Sequence, residues 1–188
     1  ELPPAVLRAL RAGVDGTIPD TPPADDPAFE RVTNVVLGSN AHAVQAAAAE
    51  AERLGWPTVR LSTRVTGEAR EIAAFYFGVA RDVVARHTLA EPPVCIIGGG
   101  ETTVTIRGHG TGGRNQELAL AFMGHIAEDP QGCAAINFLS AATDGNDGPT
   151  DAAGAFASTA LLAAADAAGL DIAAALADND SYHFFERI

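Results

Sequence analysis

The sequence predicts an α/β protein, a three-layer α/β/α domain with a mixed, mostly parallel sheet. Between residues 32 and 169, short apolar runs alternate with longer segments whose apolar residues recur every three or four positions. Such alternation is typical of a sheet with helices packed on both faces. A chain of 188 residues with 47% hydrophobic residues is also long enough to bury one well-filled core.

The first elements form a lead-in to this domain. Residues 2–12 predict a short helix, and the segment up to residue 27 is rich in proline and aspartate, which is typical of a linker. We therefore divide the chain into a lead-in at 1–27, an α/β domain at 28–180 and the start of a following helix at 181–188. The chain begins without Met and ends inside that last amphipathic run, so we expect a piece of a longer protein.

Two strand-helix pairs come next. Residues 32–37 predict a buried strand, and the helix after it can be capped by Asn40 and can end at Gly55. Residues 58–61 predict a second short strand. Ile72, Phe75, Tyr76, Val79 and Val83 mark the helix that follows it.

The second half continues the pattern with a change of direction. Residues 94–97 and 103–106 predict two strands, and the five residues between them are few enough to favour an antiparallel pair. The remaining predicted elements are a helix with Leu118, Ala121, Phe122 and Ile126, a strand over 134–139, and a helix with Phe156, Ala160, Ala163 and Ala167 that ends at Gly169.

Charge and cysteine content exclude several classes of function. The chain has 24 acidic and 12 basic residues, a formal net charge of −12, so nucleic acid and anionic membranes are poor partners. Cys95 and Cys133 lie in apolar runs and are too few for a disulfide framework. We interpret them as buried, reduced thiols and expect a cytoplasmic protein.

A glycine loop over residues 108–113 carries the strongest chemical signal. It lies between a predicted strand and a predicted helix, where backbone N–H groups and the fork of Arg114 can bind phosphate or carboxylate. The alternative is a tight turn without a ligand. The loop also fits G-x-G-x-x-G, a weak indication of a dinucleotide, because no acidic residue follows at the required distance.

An acidic segment over residues 143–151 follows the predicted strand at 134–139. Asp144 and Asp147 lie where the carboxyl end of a strand meets a loop, and they can bind Mg²⁺ or accept the proton of a hydroxyl. The alternative is a turn in which Thr150 caps the next helix and Asp151 favours its dipole.

Two weaker candidates end other predicted strands. Glu101 follows the strand at 94–97 and can lie beside the glycine loop, as a ligand, an orienting carboxylate or a plain turn residue. Ser39 and Asn40 lie at a strand-to-helix turn, where capping is the more common role. His109 could also donate to an anion, but the histidines show no metal-ligand spacing.

Three motifs together resemble the MOFRL region of the class II glycerate kinases. They read GGGETTVT at 98–105, GHGTGGRNQE at 108–117 and TDGNDGPTDAAGA at 143–155. The lead-in from residue 16 to residue 40 is similar as well, so the resemblance covers nearly the whole chain. It implies the second, smaller α/β domain of a two-domain enzyme.

The resemblance implies transfer of phosphate from ATP, with Mg²⁺, to D-glycerate, giving 2-phosphoglycerate. The site would lie in a cleft shared with a missing N-terminal Rossmann-like domain, which contributes a lysine, so the chain alone is expected to be inactive. Two alternatives stay open: a nicotinamide-dependent hydroxypyruvate reductase and a non-catalytic domain that binds small acids.

The resemblance and the local chemistry together suggest a role for each candidate. Arg114 and the amides around Gly110, Gly112 and Gly113 would hold the substrate carboxylate or the transferred phosphate. Asp144, Asp147 and Glu101 would bind Mg²⁺ or orient the glycerate hydroxyl. Asn115 and Glu117 would support Arg114, and Ser39 and Asn40 would contact the nucleotide.

Overall fold

The computed structural model describes residues 2–188, which fall into two compact units. The first ends at Leu37, and the second is Gly38–Ile188. The predicted boundary between residues 27 and 28 lies inside the first unit. Residues 181–188 belong to the second unit, where they form its last helix and C-terminal turn.

The first unit contains helix α1 (Pro4–Val14) and a 3-10 turn (Pro27–Phe29). Proline begins α1, at a position where the missing N–H breaks no helical hydrogen bond. The strand predicted over 32–37 does not form, and Val36 is 77% exposed. An apolar run is buried as a strand only where neighbouring strands take its backbone groups, and no strand of residues 2–188 pairs with this segment.

The second unit opens with a helix and a βαβ unit. Helix α2 (Asn40–Arg53) precedes strand β1 (Thr58–Glu68), helix α3 (Ala69–Arg86) and strand β2 (Cys95–Thr103). Strands β1 and β2 pair in parallel, from Thr58 opposite Cys95 to Glu68 opposite Thr103. Helices α2 and α3 contact both strands. This arrangement confirms the predicted α/β class.

Strand β2 corrects the prediction of two strands joined by a glycine turn. The chain runs straight through Gly98, Gly99 and Gly100 as one strand. A Cβ on Gly100 would overlap the backbone of Val65, and one on Gly98 would overlap the hydroxyl of Tyr76. The glycines therefore permit close approach of neighbouring groups, and they do not reverse the chain.

The other two strands form a separate antiparallel pair. Strand β3 (Asn137–Ala141) pairs with β4 (Gly154–Ser158), with Leu139 opposite Phe156. The sheet is therefore divided into two pairs, in place of the single mixed sheet predicted. Phe156 lies in β4 and not in the helix predicted for it, and helix α5 (Thr159–Ala167) is capped by Ser158 instead of Thr150.

Helix α4 (Arg114–Glu128) forms the centre of the core. It contacts α3, β3, β4 and the later helices, and nine of its residues are buried. A helix buried on nearly every face is typical of the interior of a domain. Phe122 stacks on Phe138 with ring centroids 4.1 Å apart. The apolar residues predicted to mark this helix, Leu118, Ala121, Phe122 and Ile126, are all buried.

Two short helices complete the unit. Helix α6 (Ile172–Asp178) is capped by Asp171, and helix α7 (Ser181–Phe185) follows after the turn formed by Asp178, Asn179 and Asp180. Among residues 2–188, no single helix is long and apolar enough to cross a membrane. Helices α5 and α6 meet those two criteria only as a pair that is bent by 90°.

Candidate functional site

The glycine loop, residues 108–113, lies with Arg107 against the turn 178–180, which we call the acidic turn. Side chains and one carbonyl of the acidic turn accept hydrogen bonds from five consecutive backbone amides, those of Arg107 and of the first four residues of the loop. Asn179 Oδ1 accepts from the amides of Arg107 at 2.7 Å and Gly108 at 3.0 Å. Asp178 accepts from the His109 amide through Oδ1 and from the Gly110 amide through its carbonyl, both at 2.8 Å. Asp180 Oδ1 accepts from the Thr111 amide at 2.9 Å.

Close packing against the acidic turn explains two of the loop's glycines. A Cβ on Gly108 would overlap the backbone of Asp178, and one on Gly110 would overlap Asp180. The N–H of Gly110, predicted to bind a substrate anion, is already bonded to the carbonyl of Asp178. These glycines make room for the protein's own backbone, which was the turn alternative of the sequence analysis.

Asp180 is held in its charged form by the loop and by a histidine. Partial burial acts to raise the pKa of Asp180, but the hydrogen bonds from the Thr111 amide and from His183 outweigh it, and the pKa is lowered. The His183 Nδ1 atom lies 2.6 Å from Oδ1 of Asp180. Asp180 therefore stays an acceptor for the Thr111 amide at neutral pH.

Asp147 caps helix α4 from another part of the chain. It is only 1% exposed, and its carboxylate accepts hydrogen bonds from the backbone and side-chain N–H groups of both Asn115 and Gln116, at 2.8–3.2 Å. The predicted roles of Asp147, in binding substrate or Mg²⁺, are not those the structure gives it, because both carboxylate oxygens are engaged by N–H donors. Gly113 is the N-cap residue of α4, and the carboxylate of Asp147 supplies the acceptors that the Gly113 side chain lacks.

Asn115 and Thr150 complete the surroundings of Asp147. Asn115 was predicted to support Arg114, but its side chain joins Asp147 to the hydroxyl of Ser140, which donates to Asn115 Oδ1 at 2.7 Å. Thr150 accepts from the Gln116 side chain at 3.0 Å and donates to the Asp147 carbonyl at 2.8 Å. The β3–β4 connection is thus tied to the start of α4.

Three consecutive backbone amides, which we call the open amides, lie between the amides bonded to the acidic turn and those bonded to Asp147. Among residues 2–188, no acceptor is hydrogen-bonded to the backbone N–H of Gly112, Gly113 or Arg114. The acidic turn takes the amides before them, and Asp147 takes the amides of Asn115 and Gln116 after them. Because they begin a helix, these amides offer an anion hydrogen bonds and a partial positive charge.

Arg114 and Glu101 lie together at this point, as the sequence predicts. Arg114 Nη2 is 3.2 Å from Glu101 Oε1, and the two side chains are 41% and 70% exposed. An exposed ion pair of this kind contributes little stability and separates readily. The guanidinium can therefore exchange Glu101 for an incoming carboxylate or phosphate.

Glu117 does not support Arg114, contrary to the prediction. It is 2% exposed, its Oε1 accepts from Arg70 Nε at 2.7 Å, and its Oε2 accepts from Asn179 Nδ2 at 2.9 Å. Glu117 thus connects α3 and α4 to the acidic turn. The sequence analysis did not identify the acidic turn, because its partners are about 70 residues away along the chain.

Asp144 is an exposed carboxylate of the β3–β4 connection. Its Oδ1 accepts only a long backbone hydrogen bond, from Asn146 at 3.4 Å. Within residues 2–188, no group of three or more His, Cys, Asp or Glu side chains is placed to hold a metal ion. The metal contact predicted for Asp144 stays a prediction, and the carboxylate of Asp147 is engaged by N–H donors.

Ser39 and Asn40 begin helix α2 beside the middle of β2. Ser39 Oγ caps the helix by accepting from the His42 amide, so Ser39 and not Asn40 is the cap. A Cβ on Gly99 would lie 3.8 Å from Cβ of Asn40, which places Asn40 next to the glycines of β2. The nucleotide contact predicted for this pair stays a prediction.

Comparison with known proteins explains why the three motifs occur together. Residues 94–188, which include all of β2, the glycine loop, α4 and the β3–β4 connection, match the sequence profile described as the MOFRL family. The chain belongs to the MOFRL family. The match covers half of the chain and contains the open amides, Arg114, Glu101 and Asp144.

Relatives of this MOFRL chain are longer proteins. It is 40% identical to a glycerate kinase from Bos taurus over 83% of this chain and 37% of the relative, and 33% identical to a glycerate 2-kinase from Pyrococcus horikoshii over 100% and 41%. The crystal structure of a glycerate kinase from Thermotoga maritima superposes with a TM-score of 0.72 at 33% identity, over 80% of this chain and 35% of that one. The chain thus spans less than half the length of these relatives.

The MOFRL glycine loop also packs against a buried polar group of helix α7. Ser181 is 1% exposed, and among residues 2–188 its Oγ has no hydrogen-bond partner. This hydroxyl occupies the space that a Cβ on Gly112 would need. Gly112 is therefore required by Ser181, and Ser181 carries the desolvation cost of an unmade hydrogen bond.

We expect Gly112→Ala to lower the free energy of unfolding by about 1–3 kcal/mol, because the new methyl group overpacks against Ser181 Oγ. Ser181→Ala alone should be neutral or slightly stabilising, since it removes an unsatisfied buried hydroxyl. In the double variant the methyl group on residue 112 would lie 3.4 Å from Cβ of residue 181, an ordinary contact. Thermal melting of the three variants should give a double variant more stable than Gly112→Ala; strict additivity would show that Ser181 is not the obstacle.

Proposed function

We propose that this chain is part of a glycerate 2-kinase, which transfers the γ-phosphate of ATP to the 2-hydroxyl of D-glycerate and gives 2-phosphoglycerate. The observation that carries the proposal is the run of three open amides, at Gly112, Gly113 and Arg114, beside an exchangeable guanidinium. Phosphoryl transfer depends mainly on positioning and on stabilising negative charge, and these groups can supply both. The names of the relatives, glycerate kinase and glycerate 2-kinase, support the choice of substrate.

Arg114 and the open amides would bind the substrate carboxylate or the transferred phosphate. A bidentate guanidinium contact fixes the orientation of a planar carboxylate, and the amides add a partial positive charge. Glu101, released from Arg114 when the anion binds, would be free to orient the glycerate hydroxyl. In the transfer, the hydroxyl oxygen forms the new bond to phosphorus, the bond to the ADP oxygen breaks, and the carboxylate of Glu101 accepts the hydroxyl proton.

ATP and Mg²⁺ enter the proposal as co-substrate and metal ion. Mg²⁺ is commonly held by one or two carboxylates together with substrate phosphates and water, so a complete protein cage is not needed. Asp144 is the carboxylate we assign to this contact, because Asp147 is engaged by N–H donors. Mg²⁺ would supply neutralisation of the phosphate charge, and Ser39 and Asn40 are proposed to lie near the nucleotide.

The remainder of the enzyme is proposed to come from outside this chain. The chain matches 37% of the Bos taurus glycerate kinase, so most of that relative's sequence lies outside the matched part. We propose that a Rossmann-like domain supplies the other wall of the site and a lysine, and that this chain alone is inactive. Cys95 and Cys133 are both unpaired, which fits the reducing conditions of the cytoplasm, and we propose that location.

Phosphorus NMR of the full-length protein with ATP, Mg²⁺ and D-glycerate tests the proposal directly. We expect the ATP signals to decline while a 2-phosphoglycerate signal appears, which identifies both the transfer and the hydroxyl that receives phosphate. Intact ATP without a new phosphoester would reject the kinase. NADH oxidation by the same sample with hydroxypyruvate would then identify a reductase.

We expect Asp144→Asn in the full-length protein to raise the Mg²⁺ concentration needed for half-maximal activity, because the neutral amide is a weaker ligand. Asp166→Asn is the matched control, since Asp166 is an exposed aspartate on α5. Activity measured across a Mg²⁺ titration checks the difference. An unchanged titration for Asp144→Asn would return Asp144 to the role of a turn residue.

A further inference from the structure

Asn179 makes both donor and acceptor contacts at the base of the glycine loop. It is 6% exposed, and its Oδ1 accepts from the amides of Arg107 and Gly108. Its Nδ2 donates to Glu117 Oε2 at 2.9 Å and to the Thr105 carbonyl at 3.4 Å. The buried side-chain amide of Asn179 thus connects residues 105–108, which lead into the glycine loop, to the buried carboxylate of Glu117 on α4.

The chemistry of the site favours asparagine at this position. The backbone of Asn179 is left-handed, with φ of 56°, a conformation that asparagine adopts more readily than most residues. Its contacts need two acceptor sites on one atom and two donors on the other, which only a primary amide provides. An aspartate of the same shape would place a second carboxylate beside Glu117.

Glu117 in turn is fixed by a cation. Arg70, the second residue of α3, donates from Nε to Glu117 Oε1 at 2.7 Å and from its terminal nitrogen to the Leu176 carbonyl. The Arg70 side chain is 29% exposed, whereas that of Glu117 is 3% exposed. Glu117 Oε2 accepts from Asn179 Nδ2 while Oε1 accepts from Arg70, and this contact gives the side-chain amide of Asn179 a defined orientation.

We propose that Asn179 is a positioning residue for the anion site. It fixes the start of the glycine loop through the amides of Arg107 and Gly108, and through the loop it holds the open amides of residues 112–114 in place to bind an anion. Asn179 does not touch the substrate in this proposal. The effect on catalysis rests on the proposed function, whereas the effect on the loop does not.

The first test is a set of variants of the full-length protein. Asn179→Asp should lower kcat/KM for D-glycerate about 10-fold or more at pH 8, because the carboxylates of residues 179 and 117 repel each other and displace the loop. At lower pH one of the two carboxylates gains a proton and can donate to the other, so the loss relative to wild type should shrink. Asn137→Asp makes the same chemical change on the exposed face of β3 and should follow the wild-type pH profile.

A double variant separates positioning from misfolding. In Glu117→Gln with Asn179→Asp, the new glutamine can donate to the new aspartate and still accept from Arg70, so kcat/KM should recover most of the loss at pH 8. Failure of both the low-pH recovery and the double-variant recovery would overturn the proposal. Wild-type kcat/KM in Asn179→Asp at every pH would overturn it as well.

Hydrogen exchange of full-length wild type and a further variant, Asn179→Gly, provides a readout that does not depend on catalysis. The amides of Arg107 and Gly108 should exchange at least 10-fold faster in Asn179→Gly, which tolerates the left-handed backbone and removes the acceptor. Unchanged exchange there would reject the positioning role even if the kinase is active. If wild type transfers no phosphate but the exchange result holds, the proposed function fails and the positioning of the loop stands.

Discussion

Arg114→Ala in the full-length protein is expected to lower kcat/KM for D-glycerate by at least two orders of magnitude, about 2.7 kcal/mol of transition-state stabilisation. The guanidinium is the exposed cation at the open amides, and its present partner is an exposed glutamate 3.2 Å away. Without it the amides of residues 112–114 would have to hold the anion alone. Steady-state kinetics with D-glycerate and ATP measure the loss.

Two further variants define what Arg114 contributes. Arg114→Lys keeps the charge but not the fork of donors, so it should recover only part of the activity. Arg86→Ala is the matched control, because Arg86 also pairs with an exposed carboxylate, Asp82 at 2.9 Å, on the surface of α3. Turnover and KM for Arg114→Ala equal to those of Arg86→Ala would remove Arg114 from the site.

Asp147→Ala is expected to lower the free energy of unfolding by about 3 kcal/mol. Its buried carboxylate accepts four hydrogen bonds from Asn115 and Gln116, and alanine would leave those donors buried without an acceptor. For a domain of this size the change corresponds to a fall in Tm of about 6–12 °C.

Thermal melting of the full-length protein measures this effect. Asp144→Ala provides the control within the same connection, because Asp144 is exposed, and its change should stay within about 0.5 kcal/mol. A Tm for Asp147→Ala close to that of Asp144→Ala would mean that the cap contributes nothing to stability. It would also reopen the assignment of Asp147 to a metal or substrate.

The parts of the site that are local in sequence could be predicted. The glycine loop, the helix that starts at Arg114 and the nearness of Glu101 all follow from short-range patterns at strand ends and helix starts. Helix α4 carries its apolar residues at a regular helical spacing, so the sequence predicted a helix there as well. The loop and the helix depend on neighbours within a few residues, and Glu101 precedes Arg114 by only one strand end and the loop.

The side chains that accept hydrogen bonds from the amides of the glycine loop and of α4 could not be predicted in this way. Asp147 is 32 residues from Asn115, and Asn179 is 72 residues from Arg107, so neither pairing leaves a local trace. The same limit applies to the strand expected over 32–37, whose burial depends on a neighbouring strand. The turn predicted at residues 98–100 was wrong for a related reason. Close approach of Tyr76 to Gly98 and of Val65 to Gly100 requires glycine as strongly as a turn does.

The carboxylates around the glycine loop also have a consequence for the size of the anion that the proposed site would bind. A pyrophosphate bound as in a dinucleotide site needs amides from several successive loop residues. Here Asp178, Asp180 and Asp147 neutralise the amides on both sides and would repel a second phosphate. The loop therefore has the G-x-G-x-x-G pattern of a dinucleotide fingerprint, but these negative charges lead us to expect that it binds a single carboxylate or phosphoryl group.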